Sequence, residues 1–161
     1  MEEFQRAKLK AHEKFKIADH MLTQTYPLVK DPKLLVAVIE NLFLAITNGM
    51  AALLGYERTF KHIPPFVGNF ENKFSIFKDK CVPKYKLNKE YINLVTDIKE
   101  AVLAHRKSPI EFARKDNFVI CSDNYKLKTI TIEQIKRYID LTKNFLKETD
   151  MIVSKNEGIF R

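Results

Sequence analysis

The sequence has few glycines, and this excludes the common phosphate-binding loops. Its 161 residues include four glycines and six prolines. So few turn-forming residues argue against an all-β fold, which needs many tight turns. The four glycines are isolated, whereas a P-loop or a dinucleotide-binding fingerprint needs several at fixed spacing. Anions would therefore have to be bound by Arg and Lys side chains or by helix N-termini.

Motifs for nucleophilic catalysis and for metal binding are also missing. There is no Gly-x-Ser-x-Gly elbow, and neither Cys81 nor Cys121 lies near a His in the sequence. His12, His20 and His62 lack the Glu-x-x-His or His-x3-His companions that local metal sites use. The sequence therefore predicts reduced thiols, no metal and no cofactor.

Positive charge is in excess. The formal net charge is +8 and the pI is near 9.4, which favours an anionic partner such as RNA, DNA or a nucleotide. The lysines are spread along the chain, however, and a lysine-rich solvated surface has the same composition. The N-terminal segment MEEFQRAKLKAHEKF is charged throughout and has no apolar signal core, so we expect a cytoplasmic protein.

The longest apolar stretch, Leu34–Leu54, predicts the central helix of the fold. Asp31 is a good N-cap, and Pro32 fits the first helical position, where its missing N–H costs nothing. Gly55 suits the left-handed residue that ends many helices. A helix that is apolar over most of its circumference is normally surrounded by other helices.

The same stretch is long enough to span a bilayer, but its polar residues favour a soluble bundle. Glu40, Asn41 and Asn48 would be expensive in hydrocarbon. On the helix they lie in a narrow seam together with small residues. We therefore expect a helix inside a soluble bundle and no membrane span.

Helical and strand patterns along the rest of the chain complete the predicted fold. Residues 1–161 form one domain, mainly α, which is an antiparallel four- or five-helix bundle with a small β-hairpin insertion at about 110–129. An amphipathic helix runs from Glu2 to about Thr25, and Pro83 ends a third helix. Further start signals are Asn69, Asn88 and the capping box of Thr131 and Gln134.

A polar crevice is the first candidate site. His105 closes the apolar stripe of the fourth helix, and in an antiparallel bundle it could meet the seam of the central helix. One interpretation is a buried cluster whose polar groups satisfy one another. The other is a His–carboxylate pair with shifted pKa values. The residues of this crevice are Glu40, Asn41, Asn48, His105 and Arg106.

The second candidate is the stretch His105–Lys128, in which basic and aromatic residues alternate. Basic side chains can neutralise phosphates, and exposed aromatic rings can stack on bases. Alternatively, the aromatic rings pack on the bundle and the lysines are only solvated. The nucleic-acid-binding residues expected here are Arg106, Lys107, Phe112, Arg114, Lys115, Tyr125 and Lys126.

The charged helix AHEKFKIADHML, the long helix VAVIENLFLAITNGMAALLGYE and the two later helices resemble the HEPN family of small helical bundles. The resemblance implies a dimer formed across the bundle, and a ribonuclease or a partner of a nucleotidyltransferase in a toxin–antitoxin pair. The catalytic signature of the family is an Arg and a His with four to six residues between them. Arg106 is followed at those distances by Glu111, Phe112 and Ala113, and Arg58 and His62 have three residues between them. The signature is thus expected to be absent, and no catalytic residue is carried over.

The resemblance to the HEPN family, together with the basic composition and the absence of catalytic motifs, implies a non-catalytic HEPN-like binding module. Its expected partners are RNA or a nucleotide, a second copy of the chain, and a nucleotidyltransferase or other protein. One alternative is a ribonuclease or other phosphodiester enzyme with a non-standard site at Glu40, His105 and Arg106. A purely structural interaction protein is the other.

Overall fold

A computed structural model gives the fold and describes residues 2–66, 68–107, 110–114, 117–121 and 127–155. It is mainly helical, which confirms the predicted fold class at that level. The elements in chain order are α1 (Glu3–His20), a π-helical turn (Met21–Thr25), α2 (Tyr26–Val29), α3 (Pro32–Thr59), α4 (Phe70–Ile76), a second π-helical turn (Phe77–Cys81), α5 (Val82–Tyr85), α6 (Glu90–Lys107), β1 (Ile110–Arg114), β2 (Asn117–Cys121), β3 (Leu127–Ile130) and α7 (Ile132–Val153).

Helix α3 forms the centre of the hydrophobic core. Thirteen of its 28 residues are buried, and α1, α6 and α7 pack around it. By length and composition it is also apolar enough to cross a membrane, with a mean hydropathy of 1.7 in its most apolar window, of which 44% is buried within the protein. The core helix of a soluble protein and a membrane span share these properties, so the cytoplasmic location stays a prediction.

The predicted helix starts are confirmed where side chains cap the backbone. Asp31 accepts a hydrogen bond from the backbone N–H of Lys33 at 3.0 Å. Asn69 caps α4 in the same way through Asn72. Thr131 accepts from the backbone N–H of Gln134 at 3.1 Å, while the Gln134 side chain accepts from the backbone N–H of Thr131. Each bond satisfies a donor that the first helical turn would otherwise leave unpaired.

The predicted end of the central helix at Gly55 is wrong. Helix α3 continues to Thr59, and the left-handed residue is Lys61, with φ 58°. Gly55 instead lies where α1 crosses α3, because a Cβ there would stand 2.9 Å from Cβ of Phe4. Phe4 begins α1 and Gly55 is near the end of α3, so the two helices run antiparallel. A glycine is needed here for close packing of helices and not for termination.

Gly49 has the same function on another side of α3. A Cβ at this position would lie 2.8 Å from Cδ2 of Leu146 and 2.9 Å from Cε1 of Phe145. The Phe145 ring packs edge-on against Phe77 and Tyr91, with ring centroids 5.6 and 5.4 Å apart. This close approach joins α3, α6, α7 and the second π-helical turn in one core.

Pro27 and Pro83 do not end their helices, contrary to the sequence-based expectation for Pro83. Each is preceded by a π-helical turn, closed by a hydrogen bond between residues five apart, and followed by a lysine at φ 52°. A proline lacks the N–H that would bond to the carbonyl four residues earlier, and its ring clashes with that carbonyl. Widening the preceding turn accommodates the ring and lets the helix continue for one more turn. The same corner is thus built twice, before α3 and before α6.

The three strands form an antiparallel sheet in the order β1-β2-β3. Ile110 pairs with Cys121 in β1 and β2, and Phe118 pairs with Ile130 in β2 and β3. Ile130 is 3% exposed and leads directly into α7. The sheet therefore lies between the end of α6 and the start of α7.

Candidate functional site

A wide groove lies between α1, the second half of α3, and α4, and we call it the basic groove. Its volume is about 760 Å³, which is within the usual range for ligand sites. Asn48, Ala51 and Gly55 from the seam of α3 line it, so the small residues of that seam leave open space. The other lining residues are Glu2, Glu3, Phe4, Arg6, Ala7, Lys10, Arg58, Thr59, Phe66, Gly68 and Lys73.

Four cationic side chains line this groove, namely Arg6, Lys10, Arg58 and Lys73. In the described part of the chain none of them forms an ion pair with a carboxylate. Arg58 lies over the ring of Phe66, 5.8 Å from its centroid. Glu2 and Glu3 are the two carboxylates that line the same groove, so positive charge is in excess there, and this favours the binding of an anion.

Helical periodicity brings these cations together. Arg6 and Lys10 are four residues apart on α1 and therefore lie on one face. Arg58 continues the seam stripe of α3 past Gly55, where an added Cβ would meet Phe4 of α1. Lys73 comes from α4, next to Gly68, whose added Cβ would stand 4.0 Å from Cε of Lys73. The groove is not apparent in the sequence because its residues come from three separate segments.

The polar crevice contains one pair of the expected residues. Nε2 of His105 lies 3.5 Å from Oε1 of Glu40, and their side chains are 29% and 46% exposed. The pair borders a small, mostly apolar pocket formed by Val36, Ile39, Ala101, Val102 and Ile130. Helices α3 and α6 thus place an imidazole beside a carboxylate at the surface of the bundle.

The other three crevice residues do not join this pair. The amide nitrogen of Asn41 donates to the carbonyl of Ala37 at 2.8 Å, and that of Asn48 donates to the carbonyl of Leu44 at 2.7 Å. Both amides therefore bond to their own helix, as short polar side chains in helices often do. Arg106 is exposed on α6 and does not line the pocket.

Most of the basic and aromatic stretch lies outside the part of the chain whose side chains the structure describes. Lys115, Tyr125 and Lys126 lie outside the described residues. Lys107 is the last residue of α6, while Phe112 and Arg114 belong to β1. The role of this stretch in binding nucleic acid stays a prediction.

A buried carboxylate that the sequence patterns did not single out lies near the end of α3. Glu57 is 1% exposed and accepts hydrogen bonds from Tyr85 and from Nζ of Lys84, the latter at 2.8 Å. Nδ1 of His62 lies 3.2 Å from Oε2 of the same carboxylate. We call these four residues the Glu57 cluster. The sequence does contain a signal for the burial of Glu57, because this residue continues the buried stripe of Met50 and Leu53 by one helical turn.

Cys81 and Tyr91 are buried acids with raised pKa values. Burial, together with the negative charge of Glu57, raises the pKa of the Cys81 thiol to about 12. Burial and a hydrogen bond with Glu148 raise the pKa of Tyr91. Desolvation favours the neutral form of both groups, so the thiol is unsuited to act as a nucleophile at neutral pH.

One pair of residues does meet the Arg-to-His spacing of the HEPN family, since five residues separate Arg6 from His12. The expected absence of that spacing is therefore wrong. The two side chains diverge, however, because Arg6 lines the basic groove while Nε2 of His12 lies 2.5 Å from Oδ2 of Asp150 on α7. Within a single chain this pair does not form a joint site.

Among residues 2–66, 68–107, 110–114, 117–121 and 127–155 there is no group of three or more His, Cys, Asp or Glu side chains that could hold a metal ion. No protein-family model matches the chain, and neither a curated protein nor a solved structure matches it.

Proposed function

We propose that this chain is a non-catalytic, HEPN-like binding module that holds RNA or a nucleotide in the basic groove. In this proposal the domain is an antiparallel bundle of four or five helices, and its small β-hairpin insertion adds a second contact surface. The observation that carries the proposal is the convergence on one groove of four cations, which outnumber the two lining carboxylates and form no ion pair in the described part of the chain. Phosphates would neutralise the excess positive charge of the groove, with release of condensed cations on binding.

A salt titration tests this proposal directly. The affinity for labelled oligocytidine, measured by fluorescence anisotropy, should fall as salt rises, with a slope of roughly −0.7 per phosphate contact in a plot of log affinity against log salt. The double variant Arg6→Ala, Lys10→Ala should bind more weakly and flatten the slope by up to about 1.4.

The matched control removes the same charge elsewhere. Lys136 and Lys143 are exposed on α7, so Lys136→Ala with Lys143→Ala should leave the slope near that of the parent. Equal losses of affinity in the two double variants would mean that binding depends on the net charge of the protein and not on the groove. An absence of binding at low salt would overturn the proposal and leave a structural interaction protein as the better description.

A homodimer and a nucleotidyltransferase partner are part of the same proposal, because the HEPN resemblance implies them. The groove supports this only indirectly, by leaving one face of α1 and α3 open. Light scattering at micromolar concentration should give twice the chain mass of 18.9 kDa. A monomer mass would remove the dimer from the proposal.

A phosphodiester enzyme is the second candidate, and the pair Glu40–His105 is the observation that favours it. An imidazole 3.5 Å from a carboxylate has the arrangement of a general base held by an orienting group. Cleavage of labelled RNA that disappears in His105→Ala, but not in Arg6→Ala, would favour the enzyme over the binding module.

A further inference from the structure

The ring of Phe66 lines the basic groove from the loop between α3 and α4. It is half-buried and packs against the hydrophobic core, which holds the ring in place. Pro64 and Pro65 precede it and restrict the backbone. A ring held in this way loses little conformational entropy when a ligand packs on it.

Arg58 adds a second planar group to the same surface. Its guanidinium carbon lies 5.8 Å from the centroid of the Phe66 ring, and the groove is lined by both side chains. Aromatic rings and guanidinium planes are the two surfaces on which unpaired bases stack in single-stranded RNA complexes. Arg58 can also contact the phosphate next to such a base.

The carboxylates in the groove argue against a ligand made of phosphate alone. Glu2 and Glu3 line the groove beside the start of α1 and are exposed. They would repel a bare phosphate chain or an acidic peptide, but they can accept hydrogen bonds from the exocyclic amines of bases. Lysines and arginines with nearby carboxylates therefore fit a ligand that carries both phosphates and amine-bearing bases.

We propose that Phe66 and Arg58 form a base-stacking platform, so that the basic groove selects single-stranded RNA over duplex RNA and over inorganic polyphosphate. This rests on the proposed function and names the ligand class of the same groove. In a duplex the bases are stacked on one another and their faces are covered, so phosphates, 2′-hydroxyls and base edges remain for contact but no base face does. The ring makes single strands the preferred ligand.

The experiment compares three probes on four proteins. The probes are oligocytidine, a duplex RNA of the same length, and inorganic polyphosphate. The proteins are the parent, Phe66→Leu, Phe66→Trp, and the groove double variant Arg6→Ala, Lys10→Ala. Leucine keeps an apolar side chain without a π-face, whereas tryptophan keeps an aromatic face.

We expect Phe66→Leu to bind oligocytidine about 5- to 140-fold more weakly, with the salt slope unchanged, because stacking contributes about 1–3 kcal/mol per base. Binding of polyphosphate and of duplex RNA should not change. Phe66→Trp should bind oligocytidine at least as tightly as the parent. Far-ultraviolet circular dichroism of each variant checks that the fold is retained.

Different negative results contradict different parts of the proposal. Oligocytidine affinity equal to the parent in folded Phe66→Leu, or equal losses for oligocytidine and polyphosphate, would overturn the platform while leaving the groove as an anion site. Tighter binding of the duplex than of the single strand would also overturn it. Failure of every probe to bind the parent at low salt would refute the proposed function itself.

Discussion

Glu57 and Lys84 form an ion pair between α3 and α5, with Nζ of Lys84 2.8 Å from Oε2 of a carboxylate that is 1% exposed. The lysine is 43% exposed, so water still reaches its ammonium group. Removing Lys84 and removing Glu57 therefore have different consequences for the remaining partner. Without Lys84 a buried carboxylate has only Tyr85 and His62, whereas without Glu57 the lysine can turn to solvent.

This asymmetry predicts the outcome of a double-mutant cycle. Lys84→Met alone should destabilise the protein by about 1–3 kcal/mol, because a buried acceptor loses a partner. Adding Glu57→Gln should recover part of that loss, and the coupling energy should exceed about 0.5 kcal/mol. Urea midpoints with unchanged m-values measure it. The surface pair Lys99–Glu71, in which the glutamate is 70% exposed, is the control and should show a smaller coupling energy than Glu57–Lys84, because exposed ion pairs are screened by water.

The central helix gives a second prediction with a control on the same helix. Leu42 is 0% exposed and Leu44 is 40% exposed. Leu42→Ala should reduce the free energy of unfolding by about 2–5 kcal/mol, while Leu44→Ala should change it by about 0.5 kcal/mol or less. Similar denaturation midpoints for the two variants would contradict the burial of this face.

Gly49 gives a third prediction, in which the usual preference for alanine in helices is reversed. Alanine is favoured over glycine by about 1 kcal/mol in a helix, but its Cβ would press on Leu146 and Phe145, which are 2% and 1% exposed. Overpacking of that kind costs about 1–3 kcal/mol, so we expect Gly49→Ala to be destabilising in thermal unfolding. Gly68→Ala, where the nearest atom would be 4.0 Å away, should be neutral or slightly stabilising. A rise in melting temperature for Gly49→Ala would show that α7 can move aside.

The fourth prediction concerns the thiol of Cys81, tested in a Cys121→Ser background so that one thiol remains. Its pKa is raised from 9.0 to about 12 in the folded protein, so the unfolded chain loses this proton first. Between about pH 9 and pH 12 the unfolded state binds fewer protons, and this group lowers stability as pH rises. Cys81→Ala should flatten that part of the stability profile. At about pH 8, below the ordinary thiol pKa, a thiol reagent should label Cys81 at the rate of unfolding, and rapid labelling of the folded protein would contradict its burial.

The sequence predicted those features that depend on neighbouring residues. The caps at Asp31, Asn69 and Thr131 and the dominance of the central helix all follow from local patterns, and the structure has them. Gly55 was misread because a glycine that ends a helix and one that allows a second helix to approach look the same in sequence. Only the position of Phe4 distinguishes them.

The candidate site was harder to predict because it depends on how distant segments meet. Arg6, Arg58 and Lys73 lie on α1, α3 and α4, and nothing in their spacing relates them. Glu57 could have been recognised as a charge on an apolar stripe, but its partners come from α5 and from the loop after α3. Both the basic groove and the Glu57 cluster depend on long-range packing, which the spacing of residues in the sequence does not indicate.

The two proline corners have a consequence for chain length. A π-helical turn holds one residue more than an α-helical turn over nearly the same rotation, so removing one residue from Met21–Thr25 would restore the tighter winding with little change in the orientation of α2 relative to α1. Tyr26, which is 6% exposed, would keep its direction toward the core, but the ring of Pro27 would again oppose the carbonyl four residues earlier. We expect single-residue deletions at Met21–Thr25 and Phe77–Cys81 to be far less tolerated than substitutions of their exposed residues. Each corner therefore constrains the length of its segment as well as the residue types in it.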